Sequence, residues 1–369
     1  MVARREFISA MVASAVSATA LPSFAASDTD KVSFPKNANA QAPFTPPYGL
    51  ALGGVPLASG FKITPLEDGI DAVRTAWQQG IRYFDTSPWY GQGRSERRMG
   101  AFLAEQNRDE FFLSTKIGRL LKPGNPPQSK VWPKPAPFHR EYDFSAAGVR
   151  RSIEDSMQRL GVDRIDFVFI HDLSPDNGDM GSDWLEYFKQ AQHGAMPELI
   201  RMREEDIIKG WGLGVNTLAP ILKTLEVSDA DLFLSATQYT LIRHQDSLAQ
   251  LHPALRKHGK KMVVGSPLNC GFLSGAERLD YGGTITPELR TKRQQLQAIA
   301  QHYGTDLRTV ALQFAGAPDV VTSVIVGARN GQQIAEDIAS MQQQLPAELW
   351  QELKSTGLIA AEAPVPIIS

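Results

Sequence analysis

From Tyr48 onward, short apolar runs alternate with amphipathic stretches, the pattern of repeated strand-helix units around a parallel sheet. Residues 49–53 read as the first strand. Thr64-Pro65-Leu66-Glu67 then opens a helix with threonine as N-cap, proline at N1 and glutamate at N3, and Ile70, Val73 and Trp77 follow on one face. The next strands are expected at 81–84 and 111–115, with a helix at 95–104 between them. A helix over 146–160 is capped by Ser145 and stopped by Gly161. Residues 165–170 are a near-continuous apolar run, as a parallel strand buried on both faces requires. Later strands fall at 210–215, 232–237, 261–265 and 323–326, with helical stretches between them and after the last.

Eight strands joined by right-handed crossovers predict an α/β fold, a single (β/α)8 TIM barrel with its active site at the C-terminal ends of the strands. No GxGxxG fingerprint follows the first strand, which argues against a dinucleotide fold of the doubly wound type. Two long connections, 118–143 and 172–197, leave the ends of strands where a barrel builds its site.

The 369 residues fit one barrel with insertions. A formal net charge of −2 and no long basic run exclude the footprint of a nucleic-acid binder. The single cysteine, Cys270, excludes an intrachain disulfide framework and is expected to be a small buried apolar residue near a strand end. The amino terminus has its own pattern. Ala3-Arg4-Arg5-Glu6-Phe7-Ile8 precedes a weakly apolar run to Leu21, and Ser23 and Ala25 supply small residues before a cleavage point. Residues 1–25 therefore read as a signal peptide of the twin-arginine type, which predicts export to the periplasm. Residues 26–47 form an extended leader and 48–369 the barrel. No other apolar segment approaches a membrane span, so the mature chain is expected to be soluble.

Four polar residues stand where the second, third and fourth strands end: Asp85 with Tyr90 just beyond it, then Lys116, then His171. Reducing a carbonyl by hydride needs a proton donor at the oxygen, and an ordinary tyrosine, with a pKa of about 10, holds its proton too tightly for neutral-pH work. A lysine ammonium beside the phenol is expected to lower that pKa, while a buried carboxylate keeps the lysine charged. His171 would orient and polarise the substrate oxygen. Trp89 could line the pocket or pack under a loop, and Trp132 reads as a loop anchor. The remaining histidines show no ligand spacing, so no metal is expected.

The segments 80–87 with Tyr90-Gly91, Ser114-Thr115-Lys116 and 159–171 carry a resemblance to the aldo-keto reductase superfamily. Gly212 to Asn216, Gln238-Tyr239, Ser266-Pro267-Leu268 and Val326-Gly327-Ala328-Arg329 extend it. The resemblance implies a catalytic tetrad of Asp85, Tyr90, Lys116 and His171, and nicotinamide contacts from Asn216 and Gln238. It implies further cofactor contacts from Ser266, Pro267 and Leu268. Gly327, Ala328, Arg329, Gln333 and Asp337 look like the family's clamp on the adenosine phosphate. Gly265 stands where many members carry an aromatic residue that stacks on the nicotinamide, which shifts the expected affinity toward the adenine end. Arginine's planar donor fork suits a 2′-phosphate, so NADP is expected ahead of NAD.

Lys116 to Leu121, Ile170-His171-Asp172, 238–242 and 265–269 most resemble the D-threo-aldose (L-fucose, L-galactose) and pyridoxal dehydrogenase branch, which implies a small carbonyl or sugar hemiacetal as substrate. Two other readings stay open at this point. One is a Schiff-base barrel lyase with Lys116 as nucleophile. The other is a cofactor-binding partner subunit with little catalysis.

Overall fold

Eight parallel strands close on themselves in the computed structural model, which describes residues 44–366. In chain order the strands are β1 (Leu50–Gly53), β2 (Tyr83–Asp85), β3 (Phe112–Ile117), β4 (Arg119–Pro123) and β5 (Phe138–Tyr142). They continue with β6 (Phe167–His171), β7 (Gly210–Val215), β8 (Leu232–Ala236), β9 (Lys261–Gly265) and β10 (Val321–Gly327). The barrel runs β1-β10-β9-β8-β7-β6-β3-β2, and β4 and β5 form a separate antiparallel hairpin. The signal-peptide assignment and most of the leader lie outside the described residues.

Each expected barrel strand is present with its ends within two residues of the sequence reading. Alternation along the strands decides what faces inward. Tyr83 of β2, Phe112 of β3, Phe167 and Phe169 of β6, and Leu232 and Leu234 of β8 pack into one cluster inside the barrel. Phe84, Leu113, Val168, Ile170 and Phe233 point the other way, into the layer shared with the helices. Phe44, at the end of the leader, and Tyr48, at the start of the barrel segment, pack against the inner cluster.

Helix Ala146–Leu160 carries the predicted ends: Ser145 Oγ accepts from Gly148 N at 3.0 Å, and Gly161 turns left-handed at φ 69°. The first helix departs from expectation, since Leu66–Gln78 begins after Pro65, which is itself the cap. Thr64 does not cap it, because its hydroxyl donates to the Pro56 carbonyl at 2.8 Å. The connection from 118 to 143 is not a plain loop but the β4-β5 hairpin, paired from Arg119↔Tyr142 to Pro123↔Phe138. That from 172 to 197 ends in helix Trp184–His193 and enters helix Ala195–Glu204. Cys270 is half-buried on a left-handed turn at φ 55°, rather than near-strand core, and burial pushes its thiol up to about 12.

At Gly212 of β7 the neighbouring strand leaves no room for a side chain. A Cβ at Gly212 would lie 1.7 Å from the Leu232 carbonyl oxygen, whereas at Gly49 it would meet nothing within 4 Å. Gly212→Ala is therefore expected to cost about 3 kcal/mol or more of stability, and Gly49→Ala to stay within about 0.5 kcal/mol. Thermal unfolding followed by circular dichroism checks this, and equal melting temperatures would contradict the packing.

Candidate active site

The same alternation that fills the barrel with aromatic rings carries polar groups to its carboxyl-terminal end. Asp85 follows Tyr83 on the inward face of β2, Ser114 and Lys116 follow Phe112 on β3, and His171 follows Phe167 and Phe169 on β6. β2, β3 and β6 are consecutive neighbours, with Asp85 opposite Ser114 and Lys116 opposite Phe169. Three inward positions at successive strand ends thus share one mouth. Tyr90 reaches it from the turn after β2, and all four expected residues line a cavity of about 320 Å³.

Lys116 is only 1% exposed. Its Nζ donates to Asp85 Oδ2 at 2.7 Å and to the Thr86 carbonyl at 2.9 Å, and Ser114 Oγ donates to Asp85 Oδ1 at 2.7 Å. The ammonium lies 4.9 Å from the centroid of the Tyr90 ring. The Tyr90 and His171 rings meet edge to face at 5.5 Å.

Electrostatics differ from the sequence reading at the phenol. Burial, and after it the charge of Asp85, push Tyr90 well above the ordinary tyrosine range, with Arg119 the group that pulls it down. Lys116, the cation expected to lower it, bonds Asp85 and Thr86 and stands over the ring face. Burial and the cations of Arg119 and Lys116 hold His171 well below its usual range, so its imidazole is neutral. Its Nδ1 shares a 3.0 Å hydrogen bond with Ser87 Oγ, which also accepts from Trp89 N at 3.1 Å.

A second chamber of about 440 Å³ adjoins the first, and Val55, Pro56, Ser266, Tyr281, Val326 and Gly327 line both. Pro267, Leu268, Arg329, Gln333 and Asp337 line the second, while Ala328 is wholly buried behind it. Arg329 donates to the carbonyls of Lys62 at 2.9 Å and Gly60 at 2.7 Å and to Thr64 Oγ1 at 3.0 Å. Its donor fork therefore ties down the loop after β1, a commitment its sequence position did not show. Gln333 Oε1 accepts from Arg329 N at 2.9 Å. Burial pushes the Asp337 carboxyl up to about 7, against the pull of Arg308.

Of the two residues expected at a nicotinamide, the structure brings one to the cleft. Asn216 lines it, with its amide 3.1 Å from Asp176 Oδ2. Gln238 lines neither chamber. Its side-chain amide donates to Thr237 Oγ1 and its backbone carbonyl accepts from Ser247 Oγ at 2.8 Å, and the chain turns left-handed at Thr237, φ 63°. Trp132 is more than a loop anchor: it lines the cavity, edge to face with Trp89 and tilted against Tyr90 at 5.9 Å.

Two further residues, given no role in the sequence reading, complete the site. Arg119, on β4, pairs with Asp172 at 3.0 Å, and Tyr281 donates to or accepts from Ser266 Oγ at 2.8 Å. Arg119 stands three residues after Lys116, but only the hairpin turns it inward. Tyr281 sits in an irregular loop with no period to read.

The two chambers share six lining residues and so form one continuous cleft. Lys62, Arg278, Arg308 and Arg329 line the second chamber against two carboxylates, Glu336 and Asp337, and the buried Nε of Arg308 has no hydrogen-bond partner. These residues fit an anionic cofactor end, with Asp85, Tyr90, Lys116 and His171 at the reacting end. Among the described residues no His, Cys, Asp or Glu group could hold a metal ion, and no helix is long and apolar enough to cross a membrane.

Comparison with known proteins agrees with this geometry. The chain is 33% identical over 321 residues to D-threo-aldose 1-dehydrogenase of a Pseudomonas species, covering 84% of this chain and 94% of that protein. It is 33% identical over 328 residues to pyridoxal 4-dehydrogenase of Microbacterium luteolum, with the same coverage of 84% and 94%. The holo form of an aldo-keto reductase from Bacillus halodurans superposes with a TM-score of 0.66 at 21% identity, over 87% of this chain and 97% of that one, and so shares the fold. The model of the Aldo/keto reductase family matches residues 49–357, nearly the whole barrel, and the chain belongs to that family.

Proposed function

We propose that this NAD(P)-dependent oxidoreductase interconverts a small carbonyl, in particular the hemiacetal carbon of an aldose, with its oxidised or reduced partner, using Asp85, Tyr90, Lys116 and His171 as its catalytic group. The observation that carries the reading is the convergence of a phenol, a buried Lys-Asp pair and a neutral imidazole on one cleft that continues into a cationic chamber. The two relatives named for aldose and pyridoxal oxidation favour the substrate class.

Hydride exchange with the substrate carbon is the chemistry a nicotinamide dinucleotide supplies when bound. The chain supplies the proton and the field. A phenol held protonated by burial is matched to giving its proton to a developing alkoxide. Lys116, fixed by Asp85, places a positive charge against the ring and so favours loss of that proton as it transfers. Ser87 Oγ, which accepts from Trp89 N, can donate its hydrogen to His171 Nδ1, and in that tautomer the ring proton on Nε2 would hold the substrate oxygen. Trp89 and Trp132 narrow the mouth. Pairing of Lys116 with Asp85 gives no support to a nucleophilic amine.

Asn216, Ser266, Pro267, Leu268 and Gly327 would border the dinucleotide, and Lys62, Arg278 and Arg329 would face its adenosine phosphates. We favour NADP because cations outnumber carboxylates in that chamber, and we read residues 1–25 as a twin-arginine signal that exports the folded enzyme.

Three outcomes are expected. Tyr90→Phe should lower turnover by about a hundredfold or more while still quenching or shifting the fluorescence of a bound reduced nicotinamide; full turnover in that variant would remove the proposed donor. Asp337 is neutral below about pH 7 and charged above it, so NADPH affinity should weaken up to about tenfold between pH 6 and 8 and that of NADH should change less. Fluorescence titration reads this, and Asp337→Asn should abolish the dependence. Finally, mature protein from the periplasm should begin at Ala26, and Arg4→Lys with Arg5→Lys should leave uncleaved precursor in the cytoplasm.

A further inference from the structure

The cleft's outer rim is built differently from its floor. Arg119 is 5% exposed, yet its Nη1 has no hydrogen-bond partner. The rest of its guanidinium is fixed: Nη2 donates to Asp172 Oδ2 at 3.0 Å and Nε to Tyr142 Oη at 3.4 Å. The group packs against the rings of Trp89 and Tyr142, at 5.2 and 5.4 Å. A buried guanidinium donor left unpaired costs free energy unless a ligand oxygen meets it. Arg119 and Asp172 both line the cavity that holds Tyr90 and His171. Asn216 sets its amide between Asp172 Oδ1, at 3.5 Å, and Asp176 Oδ2, at 3.1 Å.

Each guanidinium of this rim already has a carboxylate partner, and only Nη1 of Arg119 is left over. Arg140 bonds Asp179 as Arg119 bonds Asp172, and with Asp176 three carboxylates face two guanidinium groups. The second chamber has the opposite balance, four cations to two carboxylates. A phosphate or carboxylate on the substrate would thus meet a rim without a spare cation, next to like charge. A hydroxyl, by contrast, can accept from Arg119 and donate to a neighbouring carboxylate at once, with the indole of Trp89 beside it.

We propose that Arg119 and Asp172 form a hydroxyl-recognising subsite next to the reacting carbon, which selects uncharged polyhydroxylated substrates and turns away phosphorylated ones. The proposal rests on the functional reading above and specifies its substrate end. Arg119 is a specificity-determining residue here, and Asp172 positions it.

Three aldehydes of the same chain length separate the terms: propanal with no hydroxyl, glyceraldehyde with two, and glyceraldehyde 3-phosphate with an added charge. With reduced dinucleotide, glyceraldehyde should be preferred over both others by about tenfold or more in kcat/KM. Arg119→Met should reduce the preference for glyceraldehyde over propanal by about tenfold, chiefly through KM, and Arg119→Lys should restore part of it. Asp172→Asn, which keeps the shape of the side chain, should lose the same preference and serves as the deciding variant if Arg119→Met does not fold. A purely electrostatic role of Arg119, through Tyr90 and His171, would lower glyceraldehyde and propanal equally, and that result would overturn the subsite while leaving the oxidoreductase reading in place. A wild-type preference for the phosphorylated aldehyde would do the same. Absence of dinucleotide-linked turnover with all three, together with no fluorescence change of a reduced nicotinamide, would overturn both.

Discussion

A lysine almost wholly removed from water organises this barrel. Its desolvation is costly, and removing one partner of such a buried pair typically costs about 3–5 kcal/mol. Lys116 is stable where it is because Asp85 and the Thr86 carbonyl accept from it, while Ser114 satisfies the other carboxylate oxygen. Those partners come from two neighbouring strands and the turn that follows one of them. The ion pair therefore joins β2 to β3 at the mouth and sets a hydrogen-bonded cation beside Tyr90.

Room for that lysine comes from β7, the second strand along from its own. Gly214 lies on the inward face of β7, and a Cβ there would come within 3.5 Å of Lys116 Cε and 3.3 Å of Phe169 Cβ. Aromatic rings fill the barrel on the β2, β3 and β6 side, and glycines on β7 leave the space into which the polar ends extend. The packed floor and the open cleft are two consequences of one inward face.

Charge divides the cleft lengthwise. The second chamber carries surplus cations and the rim of the first carries surplus carboxylates, so the two ends of the cleft differ in the charge they favour. The two insertions build this division. The β4-β5 hairpin brings in Arg119 and Arg140, and the segment after β6 answers with Asp172, Asp176 and Asp179. The barrel strands hold the reacting groups, and the insertions shape what may approach them.

The strand pattern was legible in the chain because burial on both faces demands continuous apolar runs, and because Asp85, Lys116 and His171 each end such a run. Their meeting followed from the period of the strand, since residues two apart share a face whatever lies around them. Tertiary structure alone decided the rest. Arg329 is bound to a loop far away in sequence, the Gln238 side chain bonds Thr237, Trp132 joins the cleft wall, and Arg119 enters through a hairpin whose pairing no local period announces. The phenol, too, is raised rather than lowered, because desolvation depends on what closes over a group in space. Periodicity is a property of neighbours along the chain, whereas solvation, charge balance and hydrogen-bond choice belong to neighbours that only folding supplies.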